Sequence, residues 1–376
     1  MRASRLHIVT YREDPADAEV LCHKLMARAG LIFKIGSGVY AYSPLLWRSL
    51  KKAHEIIRRE LDRDGSLELQ LPIMQDQSLW EESGRWEAYK AAGVMLSTTD
   101  RRGMTFGLAP TAEEVVTAYM RATTKSYKQL PVTLYQIHTK FRDEIRPRFG
   151  LLRVKEFLMK DAYSFDKDDA GLDASYETMR LAYHRIFAAM GLEAFGVDAD
   201  PGDIGGSGSM EFMAPADTGE DIILYEPSSG YAANVEKACS GFESPEDEPE
   251  RPLRVVETPD IRTCEELHSF FPEVSESRMV KTLLFKALHV DEEVLWAALI
   301  RGDQEANEIK LRNHTGGLAL RMLTAEEIRS HTGASQGFAG PIGIPAEFSV
   351  VADETVRGMK NLLCGVNETD KHALDV

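Results

Sequence analysis

Phe141-Arg142-Asp143-Glu144-Ile145-Arg146-Pro147-Arg148-Phe149-Gly150-Leu151-Leu152-Arg153 is the stretch on which the reading of this chain turns. Four arginines crowd into it, although the 376-residue chain carries a formal charge of −16 at pH 7. A guanidinium is a planar fork that meets phosphate oxygens with two parallel hydrogen bonds. An acidic protein that gathers such groups in one loop is building an anion site, unless the run is merely a solvated charged loop. Upstream, Thr133, Tyr135, Ile137, Thr139 and Phe141 alternate with Leu134, Gln136, His138, Lys140 and Arg142. That period predicts a long strand with one greasy face and one solvated polar face. Pro147 and Gly150 mark turns. Glu156 to Phe165 then returns as a partner strand, so the basic loop tips a hairpin that can close over a ligand.

Working outward, Leu46, Leu50, Ala53, Ile57 and Leu61 recur at helical spacing, and Leu67 to Ile73 alternates like a strand that ends at Pro72. Asp173 to Met190 reads as a helix stopped by Gly191. Ile204 to Ser209 is a glycine-serine loop, and Ile222 to Tyr225 a short strand. Residues 243–252 are acidic and proline-rich, which predicts a linker. Beyond it Met279–Ala287 and Val294–Ile300 read as buried strands, Thr324 with Glu327 as a capping box, and Gly340–Pro345 as a rigid turn.

The chain is long enough for two domains. No apolar run reaches membrane-spanning length, and no signal-peptide pattern opens the chain. Cys22, Cys239, Cys264 and Cys364 lie far apart, which favours reduced thiols and a cytoplasmic location. The histidines form neither HxxxH nor HExxH, so no dedicated metal site is expected. The acidic balance argues against DNA and membrane surfaces as partners but leaves room for a local basic patch.

Phe-Arg-Asp-Glu closing one strand, the arginine loop, and Arg153-x-x-Glu156-Phe157 on the return resemble motif 2 of the class II aminoacyl-tRNA synthetases. The fuller run from Arg142 through Phe165 is most like the bacterial-type prolyl-tRNA synthetases. Thr10 to Pro15 resembles that family's N-terminal signature. The helix from Leu46 and the strand to Pro72 resemble motif 1, its dimer element. Leu108-Ala109-Pro110-Thr111-Ala112-Glu113-Glu114 resembles its proline-binding loop, and Gly205–Phe212 and Tyr231–Asn234 resemble later landmarks. Met210 stands where many relatives carry histidine, which removes one polar group from that part of the pattern.

The resemblance implies an α+β fold, with an antiparallel sheet flanked by helices and a smaller α/β editing insertion. It divides the chain into a catalytic portion over 1–240, a linker over 241–252 and an editing portion over 253–376. It implies ATP-dependent activation of L-proline, with Mg²⁺ bridging the phosphates, transfer to tRNA(Pro), and a homodimer. Arg142 and Arg153 are the implied catalytic cations. Glu144 is implied to reach the adenine amino group, and Phe157 either stacks on adenine or packs within the hairpin. Thr111, Glu113, Arg142 and Glu211 are implied at the proline. Thr111 and Glu113 suit a secondary ammonium with two donors, but Thr111 would also serve as a helix N-cap.

For the second portion the resemblance is to the insertion that hydrolyses mischarged alanyl-tRNA. Val280–Ala287 resembles its lysine strand, with Lys281 set to hold the phosphate of the terminal adenosine. Arg301-Gly302-Asp303, Asn307-Glu308 and Lys310 follow in register. Gly340 to Pro345 resembles its carbonyl-orienting loop, and Asp353 and His372 match later polar positions, His372 being equally readable as a surface residue. An isolated lysine in an apolar strand is costly, which favours a functional role for Lys281. Selection would rest on size, admitting alanyl and excluding the proline ring. The family's motif 3 and anticodon-binding domain are not found in the 376 residues. That reading expects a fragment unable to form prolyl-adenylate at a useful rate. The alternatives are a non-catalytic tRNA- or partner-binding descendant and an editing-only protein.

Overall fold

The computed structural model describes residues 7–202, 208–216, 219, 221–239, 241, 248–289, 292–317 and 319–376. The chain forms two compact units, 1–197 with 211–222 and 198–210 with 223–376.

In the first unit α1 (Leu21–Arg28) precedes a hairpin of β1 (Ile32–Gly36) and β2 (Val39–Tyr42). Next comes α2 (Pro44–Arg63), which starts where the sequence supplies both a cap and a starter. Ser43 Oγ accepts from Leu46 N at 3.3 Å, and Pro44 takes the first helical position, where no backbone donor is needed. The expected strand from Leu67 shrinks to β3 (Leu67–Glu68): Leu69 N–H still reaches Tyr135 O, but Leu71 N–H goes to the Gln136 side chain instead of to backbone. Then follow β4 (Met74–Asp76), α3 (Gln77–Glu82), α4 (Trp86–Ala91), β5 (Leu96–Thr99), β6 (Thr105–Leu108) and α5 (Glu113–Thr123). Strands β7 (Val132–Phe141) and β8 (Glu156–Phe165) pair antiparallel along their full length, from Val132↔Phe165 to Phe141↔Glu156. α6 (Asp169–Ala189) follows, with β9 (Phe195–Asp198) and β10 (Met210–Met213) at the limits of the unit.

The greasy stripe of α2 meets β7 and α6 through Leu61, Tyr135 and Ala182, with Ile57, Ile137 and Met179 packed around them. A second cluster of Leu71, Ala112, Val116 and Leu134 seats α5 against β7. The polar face of β7 is not solvated as its sequence predicts. Gln136 and Lys140 are only 2% and 1% exposed. The register explains this: Gln136 lies directly opposite Asp161, whose carboxylate partners Gln136 and Lys140, so the polar side chains satisfy one another in the interior.

The second unit contains the antiparallel pair β11 (Ile223–Glu226) and β12 (Tyr231–Asn234) ahead of the expected linker, whose residues 242–247 lie outside the described ones. Its main sheet comprises β13 (Arg254–Glu257), β14 (Met279–Leu288), β15 (Glu293–Arg301), β16 (Ala319–Met322), β17 (Phe348–Ala352), β18 (Leu363–Gly365) and β19 (Lys371–Leu374). The order is β13-β19-β18-β14-β15-β17, with β16 also pairing with β14. α7 (Cys264–Phe270), α8 (Glu308–Thr315) and α9 (Ala325–Thr332) accompany it. The predicted Thr324/Glu327 capping box is present, and Thr263/Glu266 forms another at α7. Leu284, Ala297, Leu323, Ile328 and Phe348 make one core cluster of the sheet.

Candidate active site

The basic loop is shaped from its base. Arg142 N–H donates to Lys155 O at 3.0 Å, and Arg148 N–H donates to Arg153 O at 3.1 Å. The turn between them has consecutive left-handed residues, Phe149 (φ 59°) and Gly150 (φ 68°). A side chain on Gly150 would also press on the His23 ring at 3.1 Å, so glycine is required twice over. Asp143 accepts from Lys155 Nζ at 2.9 Å, and its own N–H donates to Val94 O at 3.1 Å.

Arg142 and Arg153 are both exposed. The Arg142 guanidinium lies 5.4 Å from the centre of the Phe157 ring, which fixes its start point without consuming its hydrogen-bond donors. Glu144 bridges the loop, accepting from Arg146 N–H at 2.9 Å and from Arg153 Nε at 3.0 Å. The Arg146 amide and then the Arg153 charge hold its carboxyl below the usual range. Arg142 and Arg153 therefore rise from one hairpin, with Glu144 tied to the second of them.

The loop carrying Thr111 is joined to the same hairpin. Phe141 N–H donates to Ala109 O at 3.0 Å, and Ala112 N–H donates to Tyr163 Oη at 3.1 Å. Gln75 Nε2 supports it from β4, donating to Thr111 O at 3.3 Å. Thr111 is buried, and α5 begins with Ala112 in the cap position and no side-chain cap. The threonine hydroxyl is thus not spent on capping. Glu113 and Glu114 occupy the first turn, where the helix dipole favours anions.

Sequence reasoning missed the buried chain beneath this loop. Gln136 Oε1 accepts from Leu71 N–H at 3.1 Å, and Gln136 Nε2 donates to Asp161 Oδ2 at 2.8 Å. Asp161 also accepts from Lys140 Nζ at 2.8 Å and from Tyr163 Oη at 2.6 Å. Burial, and then the charge of Glu113, push the Tyr163 hydroxyl well above its ordinary value, so it stays a donor. The sequence carries little signal for this buried chain: Asp161 faces Gln136 and Lys140 faces Phe157, so the ion pair runs diagonally across the two strands. Glu211 lies half-buried on β10, and residues 204–207 of the glycine loop are outside the described ones.

In the second unit Lys281, Thr282, Cys264, Ala339, Gly365 and His372 help line a cavity of about 550 Å³. Lys281 Nζ is 3.7 Å from the exposed Glu305. His372 is not a surface residue: it is 1% exposed, and its Nδ1 lies 2.6 Å from Thr258 Oγ1. Burial lowers its pKa to about 4, so the ring is neutral at neutral pH. Gly340 is not itself a lining residue but follows Ala339, which is, and a Cβ on it would come within 1.5 Å of Gly365 O. Asn367 staples that loop, accepting from Gly340 N–H at 3.1 Å and donating to Gly340 O at 2.9 Å. Pro345 and Asp353 are not among the lining residues. Asp353 instead caps the turn over 354–356 through Thr355 N–H at 2.9 Å.

Residues 95–289 match the tRNA synthetase class II core domain (G, H, P, S and T), and residues 258–374 match the aminoacyl-tRNA editing domain. All of this chain aligns with the proline--tRNA ligase of Citrifermentans bemidjiense, at 48% identity over 377 residues and 65% of that protein. It aligns equally with the proline--tRNA ligases of Fusobacterium nucleatum, 46% identical over 65% of that chain, and Geobacter metallireducens, 49% identical over 64%. The chain thus spans about 65% of the length of the curated relatives it matches. The first of the two matched domains covers more than half of the sequence, and the chain belongs to the class II tRNA synthetase core family (G, H, P, S and T).

Proposed function

We propose that the first unit carries the site at which L-proline is activated with ATP for transfer to tRNA(Pro), and the second the site at which alanyl-tRNA(Pro) is hydrolysed. One observation carries the first half: the hairpin that bears Arg142 is hydrogen-bonded at its base to the loop that bears Thr111. A cationic anion site and a buried acceptor for an imino nitrogen are thereby built on one support. Glu113, next to that acceptor, supplies the countercharge.

In this reading Arg142 neutralises the α-phosphate while a proline carboxylate oxygen attacks phosphorus. The bond to the bridging oxygen breaks and pyrophosphate departs. No side chain forms a covalent intermediate, so the work is alignment plus charge stabilisation. Arg153, released from Glu144, is the second cation available to the triphosphate, while Glu144 turns to the adenine amino group. Phe157, with Arg142 on its face, supports adenine from below. No cluster of three metal-ligating side chains lies among the described residues. Mg²⁺ would therefore arrive on the phosphates, where it screens their charge. Glu211 completes the proline side, and a homodimer through α2 and the segment to Pro72 holds the two copies.

For editing, Lys281 receives the terminal phosphate and the Gly340 loop orients the ester carbonyl. His372 is neutral and cannot serve as a resident cation. Its place in the cavity wall suits limiting the side chain that enters. Asp353 and Pro345 support the frame.

Titration calorimetry with a prolyl sulfamoyl-adenosine, a stable mimic of the adenylate, tests the first half. Saturable binding at least tenfold tighter than that of the alanyl counterpart is expected. Absence of binding, or no preference, contradicts it. Deacylation of alanyl-tRNA(Pro) that disappears in Lys281→Ala tests the second.

A further inference from the structure

Behind Glu113 lies a set of charges that nothing above uses. Arg85 stands between α3 and α4, with its guanidinium 4.6 Å from the centre of the Tyr89 ring and 5.8 Å from that of Trp80. It donates to the Tyr89 hydroxyl. Its Nη1 donates to Glu114 Oε1 at 3.1 Å, and the same oxygen accepts from Ser83 Oγ at 3.0 Å. Glu114 is 7% exposed. Glu113 Oε2 is 3.8 Å from the same Arg85 nitrogen, within ion-pair range but beyond hydrogen-bonding distance. That oxygen is buried and has no hydrogen-bond partner.

One guanidinium therefore serves two adjacent carboxylates unequally. Glu114 is held through Oε1 by Arg85 and Ser83, although its Oε2 is also buried without a partner. Glu113 is attracted but receives no hydrogen bond from the guanidinium, and its Oε2 is left unfilled. Tyr163 and Tyr89 also feel the Glu113 charge, but the Tyr163 hydroxyl is committed to Asp161 and that of Tyr89 accepts from Arg85. The Glu113 side chain is 34% exposed, but its buried Oε2 without a donor is costly unless something arrives to fill it. The substrate's secondary ammonium is such a donor. The aromatic walls of Arg85 matter too: Tyr89 and Trp80 belong to a packed cluster with Trp86 and Met95, so the guanidinium cannot swing after its second carboxylate.

We propose that Arg85 is a positioning residue of the imino-acid site, holding Glu113 beside Thr111 with one carboxylate oxygen left open for the substrate's ammonium. The inference rests on the proline-activation reading above. Arg85 makes no substrate contact itself. It acts through Glu113, and Glu114 with Ser83 holds it in place. Without it Glu113 and the buried Glu114 would stand side by side with no cation between them, and Glu113 would turn away.

The test compares two probes on the full chain by calorimetry. One is the prolyl sulfamoyl-adenosine. The other replaces the ring nitrogen with oxygen and so lacks the ammonium. The unmodified chain should prefer the nitrogen probe. Failure to bind it sinks the proline reading itself, and this inference with it. If that probe binds, Arg85→Met should weaken it roughly tenfold or more while leaving the oxygen probe within about twofold. Arg85→Lys should restore most of the preference. Arg85→Met combined with Glu113→Gln should be no worse than Glu113→Gln alone. An unchanged ratio of the two affinities in Arg85→Met overturns the proposal. So does equal loss of both probes, since that would mark Arg85 as a purely structural residue.

Discussion

The ammonium of Lys140 and the carboxylate of Asp161 lie 2.8 Å apart inside the β7–β8 hairpin, 1% and 8% exposed. The pair is shared with Gln136 and Tyr163, so every charge in it has a second partner or a direct one. Through Tyr163 it reaches the Ala112 amide, and so the loop that presents Thr111. An element that reads as solvated polar face is in fact the underside of the proposed imino-acid site.

Removing one member of such a pair leaves the other charged and buried. Lys140→Met should therefore cost about 3–5 kcal/mol of stability. Lys140→Met with Asp161→Leu should recover much of it, although the Tyr163 and Gln136 contacts are lost. Urea denaturation of the two variants checks both the size and the recovery.

Tyr163→Phe keeps the ring and removes the hydroxyl that joins Ala112 to Asp161. A buried amide loses its acceptor, which costs about 1–3 kcal/mol. Binding of the prolyl probe should weaken several-fold, because the Thr111 loop is no longer tied to the hairpin. A variant with wild-type stability and affinity would remove this chain of bonds from the site.

His372 gives the second unit a pH signature. Its folded pKa of about 4 lies below the value near 6.5 of an unfolded histidine. Between those values the unfolded chain binds the proton and the folded one does not. Its contribution to stability is complete above about pH 6.5 and is lost progressively as the pH falls toward 4. His372→Gln should flatten the part of the stability profile between pH 6.5 and 4, measured by thermal melts across that range. Persistence of the full slope in the variant would assign it elsewhere.

Gly340→Ala would place a methyl group within 1.5 Å of Gly365 O, where only backbone stands. Overpacking against backbone should cost about 3 kcal/mol and displace the Asn367 staple. Alanyl-tRNA deacylation is expected to fall at least tenfold, while binding of the prolyl probe stays within twofold. Intact deacylation in a folded variant would detach the Gly340 loop from the proposed chemistry.

Much of this was legible from the residues. The period-two alternation of 132–141 and its return over 156–165 gave both strands, because side-chain alternation is fixed by the pleat. Thr324 with Glu327 gave a helix start, because capping is local chemistry, whereas the Ser43 cap and Pro44 start of α2 went unread. What stayed hidden depended on partners distant in sequence. Lys140 and Gln136 read as solvent-facing until Asp161 is placed opposite Gln136. His372 reads equally as a surface residue until β19 pairs with β18 and β13. Arg85 gave no periodic signal at all, since its role comes from three elements meeting. Thr111 read as a cap or a ligand, and only the position of Ala112 at the start of α5 separates the two.

A crystal structure of the chain with the prolyl sulfamoyl-adenosine bound addresses the central claim most directly. The sulfamoyl group should lie on the Arg142 guanidinium, with the ring nitrogen donating to Thr111 and Glu113. A probe seated away from the β7–β8 hairpin, or one whose ring nitrogen meets neither residue, would contradict the assignment.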